Sequence, residues 1–312
     1  MPYRTPRAGS PLRLAFVGQA TFFAACAMEE RSARVHTTFI DFREGWDAQQ
    51  MRAAVDAFAP HAVVVFRPEI VPAGAFDGLR AATLGFLTEP IPRTEGKRAH
   101  PDLRRRRADL SRADAGSFDR VVAFDPLIVP TADPFFGRGV WRSLPIPVHD
   151  RFYAPVRRGA GRPLFVGRST EHRERFLRKP KHELDVVHVA FGLGADELEE
   201  LMRRHDVAIN IHNEPYPSFE NRVCLHLAAG HLVVSETLSP THGLEPGIDY
   251  VEFSEPDELL GVLRTVVRQP DAFHRIRVRG RRKAEDYRAS RVWPRLVGDL
   301  FADLAAFGTE RR

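Results

Sequence analysis

Short, almost wholly apolar runs recur along the chain, separated by polar or amphipathic stretches. The first is LRLAFVGQ (12–19), closed by Gly18. TTFIDF (37–42), HAVVVFRP (61–68), TLGFLTEP (83–90), FDRVVAFDP (118–126) and WRSLPIPV (141–148) follow. A strand with one wet face alternates apolar and polar residues. These runs do not, so they predict strands of a parallel sheet covered on both sides. Between them, WDAQQMRAAVDAFAP (46–60) places Met51, Val55 and Phe58 at helical spacing and stops at Pro60. GAFDGLRA (74–81) is read as a further helix. The polar stretch 93–116 interrupts the pattern, and its Arg104–Arg107 run is expected to be a solvated helix face or loop.

YAPVRRGAGRP (153–163) has the composition of a linker. A second alternation starts directly after it. PLFVGRS (163–169), LDVVHVAFG (184–192), DVAINIHN (206–213), HLVVSE (231–236) and DYVEFS (249–254) read as strands. HRERFLRK (172–179), ADELEELMRRH (195–205), residues 218–229 and PDELLGVLRTVVRQ (256–269) read as helices, and VWPRLVGDLFADLAAF (292–307) as a closing amphipathic helix. The expected division is an α/β unit over 1–158, a second over 159–290 and the closing helix over 291–312. Open parallel sheets bind ligands beyond the carboxyl ends of their strands, and clefts between domains are favoured places.

Composition changes this picture little. The 312 residues suit two domains. Four of the 46 basic residues are lysine, so 42 are arginine, and the net charge is +5. Such a bias reads as a composition effect rather than a nucleic-acid surface. A single-stranded RNA site at Arg104–Arg107 would want interleaved aromatics, which that run lacks. Cys26 and Cys224 have neither metal nor disulfide-framework spacing, which suggests a reducing, cytoplasmic setting. No run reaches the length of a membrane span, and the N-terminal residues lack the long apolar core of a signal peptide.

The candidate chemistry gathers at strand ends of the second unit. Ser218 is read as the N-cap of the 218–229 helix, Gly230 as its stop, and Arg222 as a guanidinium beside the unpaired N–H groups of its first turn. Together these would make an anion site. Asn221 lies in the same turn, and Glu220 is the alternative partner of Arg222. In FVGRSTEHRERF, Gly167 permits close backbone approach, and Arg168 and Arg173 flank a strand–helix turn where they can converge on one diphosphate. Glu236 ends a strand. His242 and Gly243 lie in the loop after it; His242 could act as a base, and Glu245 could meet sugar hydroxyls. In the first unit, Gly18 with Gln19 and Thr21 follows the first strand. GQATFF is not the G-x-G-x-x-G of dinucleotide binding. There is also no Walker A, G-x-S-x-G or H-E-x-x-H motif. Phosphate held without a magnesium motif suggests a diphosphate leaving group, with no metal and no cofactor beyond the donor itself.

PLFVGRSTEHRERFL, VAINIHNEPYPSFENRVCLHLAAGHLVVSE and GLEPGIDYVEFSEPDELLGVLRTVV together resemble the donor domain of GT-B glycosyltransferases. The likeness is to the glycosyl transferases group 1 family, in its spore-maturation-protein-like branch, over about residues 163–305. The resemblance implies two Rossmann-like domains facing a cleft, with the last helix crossing back to the first. It also implies a nucleoside-diphosphate sugar as donor, an acceptor held by the first domain, and no metal. It maps diphosphate binding onto Arg168 and Arg173, and phosphate and ribose contacts onto Ser218, Asn221 and Arg222, with Glu220 or Glu236 at sugar or ribose. Many relatives carry two glutamates eight residues apart on this helix. Counted back from Gly230, those positions are Leu225 and Pro217. The departure leaves open a catalytically silent relative that binds a nucleotide or a partner protein.

Overall fold

The computed structural model describes residues 3–93, 96–137, 139–159, 161–190 and 193–309. The chain divides into two compact units, Met1–His149 with Ala289–Arg312, and Asp150–Arg288. In the first, strands β1 (Leu12–Gly18), β2 (Val35–Asp41), β3 (Ala62–Phe66), β4 (Ala82–Leu87), β5 (Arg120–Ala123) and β6 (Arg142–Ser143) form a parallel sheet. Its order is β2-β1-β3-β4-β5-β6. Helices α1 (Ala20–Phe23), α2 (Ala48–Phe58), α3 (Asp102–Leu110) and α4 (Val129–Ala132) lie between strands. Every residue of β3 is inaccessible to solvent, as an apolar run without alternation requires.

Asp47 starts α2 by accepting hydrogen bonds from the N–H groups of Gln49 and Gln50. The helix expected over 74–81 does not form. Gly74 and Gly78 adopt φ of 73° and 67°, which a right-handed helix cannot contain, and the segment is a series of turns. The arginine run lies on α3. Arg106 is buried, 2.7 Å from Glu89 and 3.3 Å from Asp102, while Arg104 and Arg107 are exposed. The closing helix, α10 (Ala289–Phe307), sets Trp293 against the rings of Phe16, Phe66 and Phe86 and donates its indole N–H to the Cys26 carbonyl.

The second unit runs β7 (Pro163–Val166), α5 (Glu171–Glu183), β8 (Val187–Val189), α6 (Ala195–Arg203), β9 (Val207–Asn210), α7 (Arg222–Ala228), β10 (Leu232–Glu236), β11 (Val251–Phe253), α8 (Pro256–Arg268) and α9 (His274–Lys283). Its parallel sheet has the order β11-β10-β9-β7-β8. Phe165, Phe176, Ile209, Val234, Phe253 and Leu263 contribute to one buried core. Of the expected strand over 184–192, Phe191 and Gly192 lie outside the described residues, as does Ala160 of the expected linker. The arginine-rich α9 had no apolar run to announce it. It packs closely because Gly280 has no side chain: a Cβ there would stand 2.4 Å from the Asp249 carbonyl oxygen and 2.7 Å from Leu227.

Both sheets share one plan. The first strand of each unit is flanked by the second strand on one side and the third on the other, so strand order reverses between β1 and β3, and between β7 and β9. The ends of those pairs are where such sheets place ligands.

Candidate functional site

Beyond β7 and β9 the chain brings three arginines together. The guanidinium carbons of Arg173 and Arg222 each lie 5.4 Å from the ring centroid of Phe165, within β7. Two residues on, Gly167 has φ 156°. A Cβ there would stand 3.2 Å from Arg173 Nη1 and 3.4 Å from Arg222 Nη2. The glycine therefore leaves room for both cations at the end of the strand. Arg168, about half exposed, donates from Nε to Asn213 Oδ1 at 2.9 Å.

Arg173 owes its place to the helix start. Thr170 caps α5, accepting a hydrogen bond from the Arg173 N–H at 3.3 Å, and Glu171 and Glu174 lie in its first turn. The side chain is 2% exposed. Its Nε donates to the carbonyls of Ile211 and His212 at 3.1 and 3.2 Å, and its Nη1 to that of Arg168 at 3.1 Å. One guanidinium thus joins the turn after β7 to the turn after β9. Burial, and then the neighbouring Arg222, lower its pKa to about 9 against the opposing pull of Glu220.

Arg222 donates from Nη1 to the Ile211 carbonyl at 3.1 Å and from Nη2 to Glu220 at 3.2 Å. Glu220 also accepts the Asn213 N–H at 3.1 Å and lies 3.7 Å from Arg173. Burial pushes this carboxyl up, but Arg222 and Arg173 together outweigh it and hold the group below the usual carboxylate range. Glu220 is the internal counter-ion of the arginine pair.

Ser218 is not the cap expected of it. The helix begins at Arg222, with Asn221 in the cap position and no side-chain capping bond. Ser218 is buried with Oγ 2.9 Å from His212 Nδ1, while His212 Nε2 lies 3.0 Å from the Thr237 carbonyl. In the neutral ring Nε2 donates to that carbonyl, so Nδ1 accepts the serine proton. The hydroxyl is committed to His212 and draws residues 217–220 away from the helix. This shortens the expected helix to seven residues and moves its cap position three residues along the chain.

Glu236 ends β10. It accepts the His212 N–H at 2.6 Å and lies 3.0 Å from His172 Nε2. The chain therefore places a carboxylate–imidazole pair beside the arginines. His172, Asn213 and Phe165 were not singled out in the sequence. His172 was readable as the residue before Arg173 in a capped first turn; Asn213 and Phe165 carry no local signal. His242 has φ 48°, stacks edge-on against Phe219 at 4.6 Å and accepts the Tyr287 hydroxyl on its carbonyl at 3.0 Å. Its loop is tied to this segment by the Ser239 N–H, 3.2 Å from the Ser218 carbonyl. Glu245 is exposed. Gly18 lies in the other unit, where a Cβ would stand 3.0 Å from Phe66 Cβ; it is a packing glycine. Thr21 meets Arg43 at 3.5 Å.

Among the described residues no group of three or more His, Cys, Asp and Glu could hold a metal ion, and no helix is long and apolar enough to cross a membrane. A cavity of about 220 Å³ in this unit lies away from these residues, at the opposite edge of the sheet. The site is defined by donors that converge beyond the ends of β7 and β9.

Neither a protein-family profile nor a curated protein matches the chain in sequence. Solved structures do match in shape. Anabaena HepE in complex with UDP-glucose superposes with a TM-score of 0.62 at 12% identity, over 93% of this chain and 100% of that one. The chain has the GT-B fold. Sucrose-phosphate synthase from Thermosynechococcus elongatus gives 0.58 at 10% identity, over 95% and 100%. A UDP-forming trehalose-phosphate synthase from Burkholderia xenovorans gives 0.53 at 11%, over 93% and 98%. At such identities the likeness speaks to the GT-B fold, and function has to be argued from the site.

Proposed function

We propose that this GT-B protein is a glycosyltransferase that moves a sugar from a nucleoside-diphosphate sugar to an acceptor, with a metal-independent mechanism. The observation that carries the reading is the convergence of Arg173 and Arg222 over Gly167 at the β7/β9 reversal, with Arg168 beside them. HepE, which has the same fold, binds UDP-glucose and supports a nucleotide sugar as ligand.

In this reading the exposed Arg168 and the amino-terminal Arg222 grip the diphosphate, and buried Arg173 holds the two turns in register for them. Negative charge grows on the diphosphate oxygens as the bond to the sugar breaks, and fixed cations favour that state over the ground state. The incoming phosphate replaces Glu220 as the partner of Arg222. The freed Glu220, or Glu236 with its imidazole partner His172, then contacts sugar or ribose hydroxyls. Asn221 and Ser218 lie in the same segment as hydrogen-bonding groups, and His242 is the base candidate in the adjoining loop. The proposal includes a reducing, cytoplasmic setting, in keeping with a two-cysteine composition.

Calorimetric titration with UDP, GDP, ADP and TDP tests the reading. One of them binds at millimolar concentration or better, Arg168→Ala weakens it, and chelation of metal leaves it unchanged. Absence of binding by all four removes the proposal.

A second reading has its own observation. Pro217 and Leu225 stand where many relatives carry glutamates, and the one acid of the segment, Glu220, is held between two arginines. A protein that binds a nucleotide without transferring a sugar would look like this. Slow release of free sugar from a panel of nucleotide sugars decides for the enzyme; nucleotide binding with no release decides for the silent relative.

A further inference from the structure

The 220 Å³ cavity lies at the amino-terminal edge of the second sheet, bounded by Asp206 just before β9 and His231 just before β10. That is the edge opposite Gly167 and Glu236. Seven arginines line it against two carboxylates, Asp206 and Glu199. Both acids already have partners. Asp206 accepts the Arg162 and Gly161 N–H groups at 2.9 and 3.2 Å and lies 3.6 Å from Arg277. Glu199 meets Arg151 at 2.8 Å and also Arg203. Arg204 pairs with Glu200. Arg157, Arg158 and Arg162 are exposed and have no carboxylate within ion-pair distance among the described residues.

Two described glycines among these three arginines, Gly159 and Gly161, are held down. A Cβ on Gly159 would coincide with the Asp206 carboxylate, 1.5 Å from Oδ2. Gly161 adopts φ 70°, and a Cβ on it would stand 2.9 Å from the Val267 Cα. Glycine at both positions lets the backbone press against Asp206 and α8 while the guanidiniums stay at the mouth. Unneutralised cations on an anchored backbone repel one another and lose little freedom when an anion arrives. We propose that this cavity is a second anion site, fitted to a small phosphate or diphosphate ester and separate from the donor site. Its volume suits a compact ester, and the guanidinium forks suit phosphate oxygens. The inference stands whether or not the transferase reading does.

Inorganic pyrophosphate is the probe, titrated by calorimetry into the Arg168→Ala protein, in which the donor site is weakened. Binding is expected there, and adding Arg157→Ser and Arg158→Ser to that protein should weaken it about tenfold or more. Arg162→Ser, made separately, should weaken it in the same direction. The ring signals of His205, which also lines the cavity, should shift with pyrophosphate and stop shifting in the serine variants. Thermal melts of the variants check that they are folded. No binding, or binding indifferent to all three serine substitutions, overturns the proposal. So does a single-stranded RNA oligonucleotide that binds through these arginines where pyrophosphate does not.

Discussion

The two strand-order reversals of this chain have the same topology and opposite linings. Between β1 and β3, the strand-end residue Gly18 is packed against Phe66, and Phe23 stacks on that ring at 4.8 Å. The nearby Arg67 lies 2.9 Å from buried Glu69 and 3.7 Å from Glu89. Between β7 and β9, Gly167 opens instead onto two guanidiniums that share one acid, Glu220. Parallel-sheet topology offers a place for a ligand in both units. In the first the strand-end glycine faces phenylalanine rings, and in the second it faces two guanidiniums, so chemistry follows side chains rather than strand order.

The largest expected effect is on Arg173. Arg173→Ala takes the guanidinium donor from the His212 and Arg168 carbonyls, leaves Arg222 as the guanidinium donor to Ile211, and removes one of the two cations beside Glu220. It should cost about 3–5 kcal/mol of stability, read from urea unfolding. A cost below about 1 kcal/mol would show that the arginine is not what joins the two turns. Next comes the helix that presents Arg222. Its His226 lies 3.0 Å, Nδ1 to Nδ1, from His231, which donates from Nε2 to the Met202 carbonyl. Burial first, then surrounding cations, lower the His231 pKa to about 4. The unfolded chain takes up this proton near pH 6.5 and the folded one only near pH 4. Stability present at pH 7 is therefore lost as pH falls through that window, by about 3 kcal/mol at its foot. Buried His226 is also held well below its ordinary pKa, by burial first and then by His231, so His231→Gln should make that limb shallower without abolishing it in unfolding experiments across pH.

Smaller effects separate the two glycines. Gly18→Ala crowds Phe66 and should cost about 1–3 kcal/mol while leaving nucleotide affinity as it was. Gly167→Ala pushes on Arg173 and Arg222, so its mark should fall on UDP binding. If both variants lower affinity equally, the contrast between the reversals fails. Smallest in stability is Arg168→Ala, within about 0.5 kcal/mol because the side chain is half exposed. Its UDP affinity should nevertheless drop about tenfold.

Most of the architecture was legible in the chain because it rests on local pattern. β1, β3, β7, β9 and β10 fall inside the apolar runs that announced them, and the GT-B resemblance named the architecture that the solved structures share. The expected helix at 74–81 failed because its apolar spacing concealed two glycines with positive φ. The polar α9 was missed because its fit depends on Gly280 meeting Asp249 and Leu227, not on periodicity. At the site, sequence singled out Arg168, Arg173 and Arg222 from their places after strands and at helix starts. It misplaced Ser218, whose preference for an N-cap lost to a buried bond with His212.

By itself the sequence determined most of the strands, the division into two parallel-sheet units, and the three arginines at the strand ends of the second. Burial of apolar residues at fixed spacing decides these things within a few turns of chain. Only the tertiary structure decided which polar groups answer one another. Arg173 reaches carbonyls 38 and 39 residues away, and Glu236 meets His172 across 64. A hydrogen bond or ion pair is made at about 3 Å, and that proximity is set by the packing of whole sheets rather than by neighbours in the chain.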